Sequence, residues 1–348
     1  MLLDCFLEKG RQFLGCELPI MCGAMTWVSD PKLVAAVGEA GGFGLLAGGN
    51  APVEILEKEI VETRGLTDKP FGVNLITIAP AYQEQLSMVC EQGCEFVVFA
   101  GSFPRESEIA RAKDAGAKVI CFASTEQLAH SLIKRGTDAL ILEGSEAGGH
   151  IGPVALSVLI QQILFQVDSV PIFVAGGIAT GRMMAHLLTM GAAGIQMGTR
   201  FVMSDECAVH PDFKKIFRRA KARDAMATPQ FDSRLPVIPV RALKNEGSQG
   251  FNRLQYELIG RLEKGELDRM EAQYEVERFW VGALRNAVVD GDVKQGSLMA
   301  GQSVGLVNEI KPLRGIMAEL VEDAEAELQR IQRCFQQCDA PEAICPAS

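Results

Sequence analysis

Short apolar runs separated by stretches of helical periodicity recur over residues 1–200 of the chain. The runs at 19–25, 43–47, 71–76, 96–100, 118–123, 139–142, 171–175 and 194–198 have strand length and little alternation. Strands covered on both faces read this way, as in a parallel sheet. Between them, residues 31–40, 52–63, 81–92, 107–115, 125–135, 156–167 and 182–190 predict helices. Ser29 and Asp30 before Pro31 start the first of these, and Gly41 with Gly42 stops it. Eight strands with seven intervening helices predict a (β/α)8 TIM barrel of the α/β class. A doubly wound open sheet is the competing arrangement. The regular spacing and the lack of an early G-x-G-x-x-G turn disfavour it.

The pattern changes after Phe201. Residues 205–295 are richer in charge, contain Pro229, Pro236 and Pro239, and do not resume the alternation. Helices are predicted at 213–222 and 266–287. The expected organisation is a barrel of residues 1–204 and 296–333, with 205–295 as a smaller, mostly helical inserted domain over its mouth. Residues 313–333 supply the eighth barrel helix, and 334–348 are expected to be a frayed tail.

Composition narrows the possible partners. The formal net charge of −10 argues against general nucleic-acid binding. No run approaches the roughly 20 apolar residues of a membrane span, and the N-terminus lacks the pattern of a secretion signal. Ten cysteines are scattered without paired CxxC spacing, so reduced thiols in a cytoplasmic protein and no metal site are expected.

The loops at the carboxyl ends of barrel strands build the site in this fold, and a phosphate is often held after the seventh and eighth strands. Here those loops are 175–178 (AGGI) and 196–200 (QMGTR). Gly176, Gly177, Gly198 and Thr199 offer unobstructed backbone N–H groups, and Thr199 adds a hydroxyl. A phosphosugar isomerase or aldolase would also need a phosphate site, but usually a lysine or paired carboxylates as well. The strand ends instead carry Met25, Asn74, Glu143 and His150. Met25 suits one face of a flat ring, and Asn74 and Glu143 can hydrogen-bond a heteroaromatic edge. An isoalloxazine on a phosphate tail fits this set better than a sugar.

Residues 143–152 (EGSEAGGHIG) are the most distinctive stretch, with four glycines and one histidine. Glycine is costly to order, so such a cluster marks backbone lying close to something. His150 is placed at the substrate side of the ring, the alternative being a histidine that only holds the loop through a backbone carbonyl. His130 and His186 fall on predicted outer helices. His210, before Pro211, is read as structural.

Several segments together resemble the nitronate monooxygenase-type FMN barrels, and most closely their flavin-dependent enoyl-acyl-carrier-protein reductase branch. They are 25–30 (MTWVSD), 48–52 (GGNAP), 66–74 (LTDKPFGVN), 143–152, 175–178, 196–201 (QMGTRF), His210 with Pro211, 241–245 (RALKN) and 291–307. The resemblance implies FMN held by Ala24, Met25, Asn74, Glu143, Gly148, Gly176, Gly177, Gln196, Met197, Gly198 and Thr199. It further implies His150 as the catalytic residue beside the flavin and Met299 at the substrate. Cys22 and Ala24 depart from a glutamine and a glycine common in the first loop.

The implied activity is reduction of trans-2-enoyl thioesters with NADH or NADPH as cosubstrate. The rivals are a nitronate monooxygenase, an NADH:quinone reductase and a flavin-bearing binding protein without turnover. A monovalent cation is a further cofactor candidate, and a homodimer the candidate assembly. Lys214, Lys215, Arg218, Arg219, Lys221 and Arg223 form a basic run. It is read either as a solvated helix face or as a dock for acyl carrier protein.

Overall fold

The computed structural model describes residues 1–49, 51–235 and 237–338. In chain order the elements begin α1 (Asp4–Leu14), β1 (Ile20–Cys22), α2 (Pro31–Glu39), β2 (Phe43–Ala47), α3 (Val53–Leu66), β3 (Phe71–Ile76) and α4 (Tyr82–Glu91). There follow β4 (Phe96–Ala100), α5 (Glu106–Asp114), β5 (Lys118–Ala123), α6 (Glu126–Lys134), β6 (Ala139–Glu143), β7 (Gly149–His150) and α7 (Leu156–Leu159). A π-helical turn, Ile160–Leu164, leads to β8 (Ile172–Ala175), α8 (Gly181–Thr189), β9 (Gly194–Met197) and α9 (Thr199–Val202). The remainder comprises α10 (Pro211–Phe217), β10 (Ala225–Ala227), β11 (Val240–Leu243), α11 (Glu246–Glu263), α12 (Arg269–Val288) and α13 (Leu313–Cys338).

Strands β1–β6, β8 and β9 close into a parallel barrel in that order, with β9 pairing back onto β1. The expected (β/α)8 architecture is therefore present. Local chemistry starts several of its helices. Asp30 accepts the Leu33 N–H ahead of Pro31, Thr125 accepts from Leu128, and Thr180 accepts from Met183. Inside the barrel, Met21, Phe43, Phe96, Val98, Ile141 and Phe173 pack as one apolar cluster. A second, larger cluster lies between the strands and the helical ring.

Four expectations need correction. The first is α1, which was not foreseen. It places Phe13 and Leu14 against the inner cluster, with the Phe13 ring 6.0 Å from those of Phe96 and Phe173, and so closes the amino-terminal end of the barrel. The second is α11, for which no helix was expected; the helix expected at 266–287 is present as α12, and α11 packs beside it as the other arm of a hairpin. Gly247 is needed because a Cβ there would lie 2.3 Å from the Gln295 carbonyl oxygen.

The third concerns α10, expected at 213–222, which runs Pro211–Phe217 instead. The fourth is the last helix, which continues through the expected tail as far as Cys338. Residues 339–348 of that tail, like Asn50 and Pro236, lie outside the described residues.

Segment 205–295 is mostly helical but also contributes β10 and β11. These pair antiparallel with each other, and β11 pairs with β7, opposing Val240 to His150. A separate apolar cluster sits here, with Phe251 and Trp280 at a ring separation of 4.3 Å. No helix of the described residues is long and apolar enough to cross a membrane.

Helix α13 lies so close to α8 that a Cβ on Gly181 would sit 2.0 Å from the Leu320 carbonyl oxygen. Gly181→Ala should push the two apart and lower stability by about 1–3 kcal/mol, the usual cost of overpacking. Denaturant titration measures this, and an unchanged midpoint would contradict the close packing.

Candidate active site

The carboxyl ends of the barrel strands open into a cavity of about 580 Å³. Every residue expected to touch FMN or substrate lines it: Ala24, Met25, Asn74, Glu143, Gly148, His150, Gly176, Gly177, Gln196, Met197, Gly198, Thr199 and Met299. The floor comes from the ends of β1, β3, β6, β8 and β9. Residues 147–153 and Met299 form one side. Helix α12 forms the roof through Glu277, Trp280, Val281 and Leu284.

The glycine loop is stitched in place. A Cβ on Gly148 would lie 2.5 Å from the Gly301 nitrogen, so the two loops meet backbone to backbone. The Gln302 N–H donates to the Glu146 carbonyl at 2.9 Å, and the Gly301 N–H donates to Thr199 Oγ1 at 3.0 Å. Arg241 donates twice to the Ser145 carbonyl and once to that of Ala225. Arg241 stood in the sequence only as part of a motif. Its work is to clamp this loop to β10.

His150 makes no hydrogen bond to a backbone carbonyl among the described residues. Its Nε2 lies 3.1 Å from Glu277 Oε2, at ion-pair distance. Nε2 is buried and makes no hydrogen bond in this ring orientation. Such bonds often align only when substrate is present.

Glu277 and the α12 roof were missed in the sequence. The signal was there: one acid at 277 beside Val276, Trp280 and Val281 on an otherwise apolar stripe. The other histidines are peripheral. His210 accepts the Asp212 N–H at the start of α10, His186 pairs with Glu327 at 2.8 Å, and His130 is an exposed neighbour of Glu126.

Glu143 ends β6 with no cationic partner, and burial pushes its carboxyl up to about 8. At neutral pH it can donate a hydrogen bond as well as accept one. Burial also pushes the Cys22 thiol up, which keeps it from acting as a nucleophile. Lys214 corrects the reading of the basic run. Its ammonium is buried and donates to the Ser204 carbonyl, so it is unavailable for docking.

The residues fit FMN. Gln196 Oε1 is buried with no partner in the protein, an acceptor ready for a ligand donor. Gly176 and Gly177 hold φ of 97° and 72°, turning the β8 loop around a site that a phosphate suits. Met25 packs against Gly198, where a Cβ would lie 3.2 Å from the Met25 sulfur.

The nitronate monooxygenase family profile matches residues 9–87 and 76–323. The chain belongs to the nitronate monooxygenase family. Within the family it is an FMN-dependent oxidoreductase. Among solved structures it is similar to FabK from Thermotoga maritima, with a TM-score of 0.83 and 36% identity over 93% of this chain and 98% of that one. A relative from Mycobacterium tuberculosis is 30% identical over 91% of this chain and 96% of its own length. It is named (3aS,4S,5R,7aS)-5-hydroxy-7a-methyl-1-oxo-octahydro-1H-indene-4-carboxyl-CoA dehydrogenase. A probable nitronate monooxygenase from Staphylococcus saprophyticus is 27% identical over 85% of this chain and 92% of its own.

The raised Glu143 pKa predicts a pH signature in the cofactor-free protein. Below about pH 4.5 the residue is protonated whether folded or unfolded, so it costs nothing. As pH rises towards about 8 only the unfolded form ionises, and stability is lost through that window. Glu143→Gln should therefore be more stable than the parent at pH 9 and show no such gain at pH 4. Melting curves at both pH values check this.

Proposed function

We propose that the protein reduces the double bond of trans-2-enoyl thioesters, carried on acyl carrier protein or CoA, with NADH or NADPH as electron source. The observation that carries this reading is the charge of the cavity wall. No lysine or arginine is among its described lining residues, and the carboxylate of Glu277 stands beside His150. An alkyl nitronate is an anion, whereas an enoyl thioester is neutral where it reacts. A carboxylate in the wall disfavours an anion beside it more than a neutral group. Two of the similar proteins support the same reading. FabK is an FMN-dependent enoyl-acyl-carrier-protein reductase, and the mycobacterial relative is named for a CoA thioester.

In this reading Gly176, Gly177, Gly198 and Thr199 receive the FMN phosphate on backbone donors. Asn74 and the protonated Glu143 would hydrogen-bond the polar edge of the ring, and Met25 would offer it an apolar surface. Bound FMN supplies a carrier that takes two electrons from the nicotinamide and passes them on as hydride. Met299 and His150 face the thioester, and His150 supplies the proton for the α-carbon. The α12 roof keeps water away from the reacting atoms. Segment 205–295 then acts as a substrate domain.

Anaerobic stopped-flow tests the reading. NADH should bleach the yellow protein, and crotonyl thioester should restore its colour. His150→Ala should slow the second step by roughly 10²–10⁴-fold, the range for a lost acid–base group. Reduced protein that ignores the thioester, together with turnover of propionate 3-nitronate without nicotinamide, would make the protein an oxygenase instead.

Lys215, Arg218, Arg219, Lys221 and Arg223 remain exposed and are proposed as the dock for an acidic carrier protein. Lys215→Glu with Arg219→Glu should raise KM for carrier-bound substrate several-fold at low salt and leave KM for the CoA thioester unchanged. Equal effects on both would remove the docking role.

A further inference from the structure

Three titratable side chains line the cavity among the described residues: Glu143 in the floor, His150 at the side and Glu277 in the roof. The first two have a place in the proposed reaction, and the third does not. We infer that Glu277 is the positioning residue for His150, holding its Nε2 so that Nδ1 is the nitrogen presented to substrate. This rests on the thioester reading for its chemistry, though not for its geometry.

Both backbones are fixed before any ligand arrives. His150 is in β7, paired with Val240 of β11, and the Ile151 N–H donates to the Pro239 carbonyl. Glu277 is in the middle of α12, which is held to the barrel from the other side. The Trp27 indole donates to the Val281 carbonyl at 3.2 Å, and the Arg285 guanidinium lies 6.0 Å from the same ring. Trp27 adopts φ of 64°, the one positive φ outside glycine among the described residues. That backbone cost is accepted where the roof is fastened.

The Glu277 side chain is only 14% exposed, against 34% for His150, and His150 is its one ion-pair partner among the described residues. A carboxylate this enclosed and this close to one imidazole has no role as a solvated charge. A modest rotation of the ring completes an Nε2–H···Oε2 bond.

The chemical consequence follows from the two ring nitrogens. With the Nε2 proton held by Glu277, the neutral ring has Nδ1 bare and the protonated ring has Nδ1–H as its free donor. During reduction the C=C π bond opens. Bound FMN, reduced by the nicotinamide, would supply the hydride for the β-carbon. The electron pair left at the α-carbon takes the Nδ1 proton. Two C–H bonds have formed, the ring is neutral, and water returns its proton.

Two measurements test Glu277. In cofactor-free protein labelled with 15N-histidine, at a pH where the ring is neutral, His150 should be the Nε2–H tautomer. In Glu277→Leu it should become a mixture. With only four histidines in the chain, assignment by single substitutions is practical. In the loaded enzyme, Glu277→Leu should slow reoxidation by crotonyl thioester roughly tenfold or more. Reduction by NADH and the KM for thioester should stay within twofold. Glu277→Gln should recover part of the rate, since its amide oxygen still accepts from Nε2–H. In a His150→Ala background the Glu277→Leu effect should vanish.

A tautomer unchanged by Glu277→Leu, or a rate loss that persists without His150, would overturn the inference. Should the parent itself fail to pass electrons to the thioester, the proposed activity is what fails, and the tautomer result still decides the role of Glu277. If Glu277→Leu does not fold, Glu277→Ala, which also removes the acceptor, carries both measurements.

Discussion

The site depends on one close approach, between the backbone at Gly148 and the backbone at Gly301. A single methyl group at Gly148 would stand 2.5 Å from the Gly301 nitrogen, closer than real carbon atoms come. Because the two strands of chain touch there, Gly301 can donate to Thr199, Gln302 to Glu146, and Arg241 can reach the Ser145 carbonyl. These bonds join the ends of β6 and β9 to residues 301–302, which lie more than a hundred positions further along the chain. The proposed phosphate cradle and the histidine are thus fixed by the same contact.

The barrel was legible because its chemistry is local and repeated. Each strand is a short apolar run, and caps such as Asp30, Thr125 and Thr180 sit where helix starts need them. The floor of the site was legible for a related reason. The fold fixes which loops bear ligands, so glycines at 176, 177 and 198 could be read by position alone.

What escaped the sequence depends on partners distant in the chain. Helix α1 earns its place by filling the barrel's far end with Phe13 and Leu14, and nothing nearby in sequence announces that. Helix α11 carries Gly247, whose place is set by the close approach of Gln295, 48 positions later (295 − 247). Lys214 looked like its basic neighbours until the fold turned it inward to Ser204. Glu277 was invisible as a site residue because its meaning comes from His150, 127 positions earlier (277 − 150).

The small sheet over the mouth has a bearing on how such proteins diversify. Strand β7 is both the histidine's own backbone and one edge of a sheet whose other two strands come from the segment above. Scaffold and specificity elements are therefore not interchangeable parts. Replacing residues 205–295 would also replace the strand that braces the backbone of His150, so the segment above the barrel and the geometry of that loop cannot vary separately.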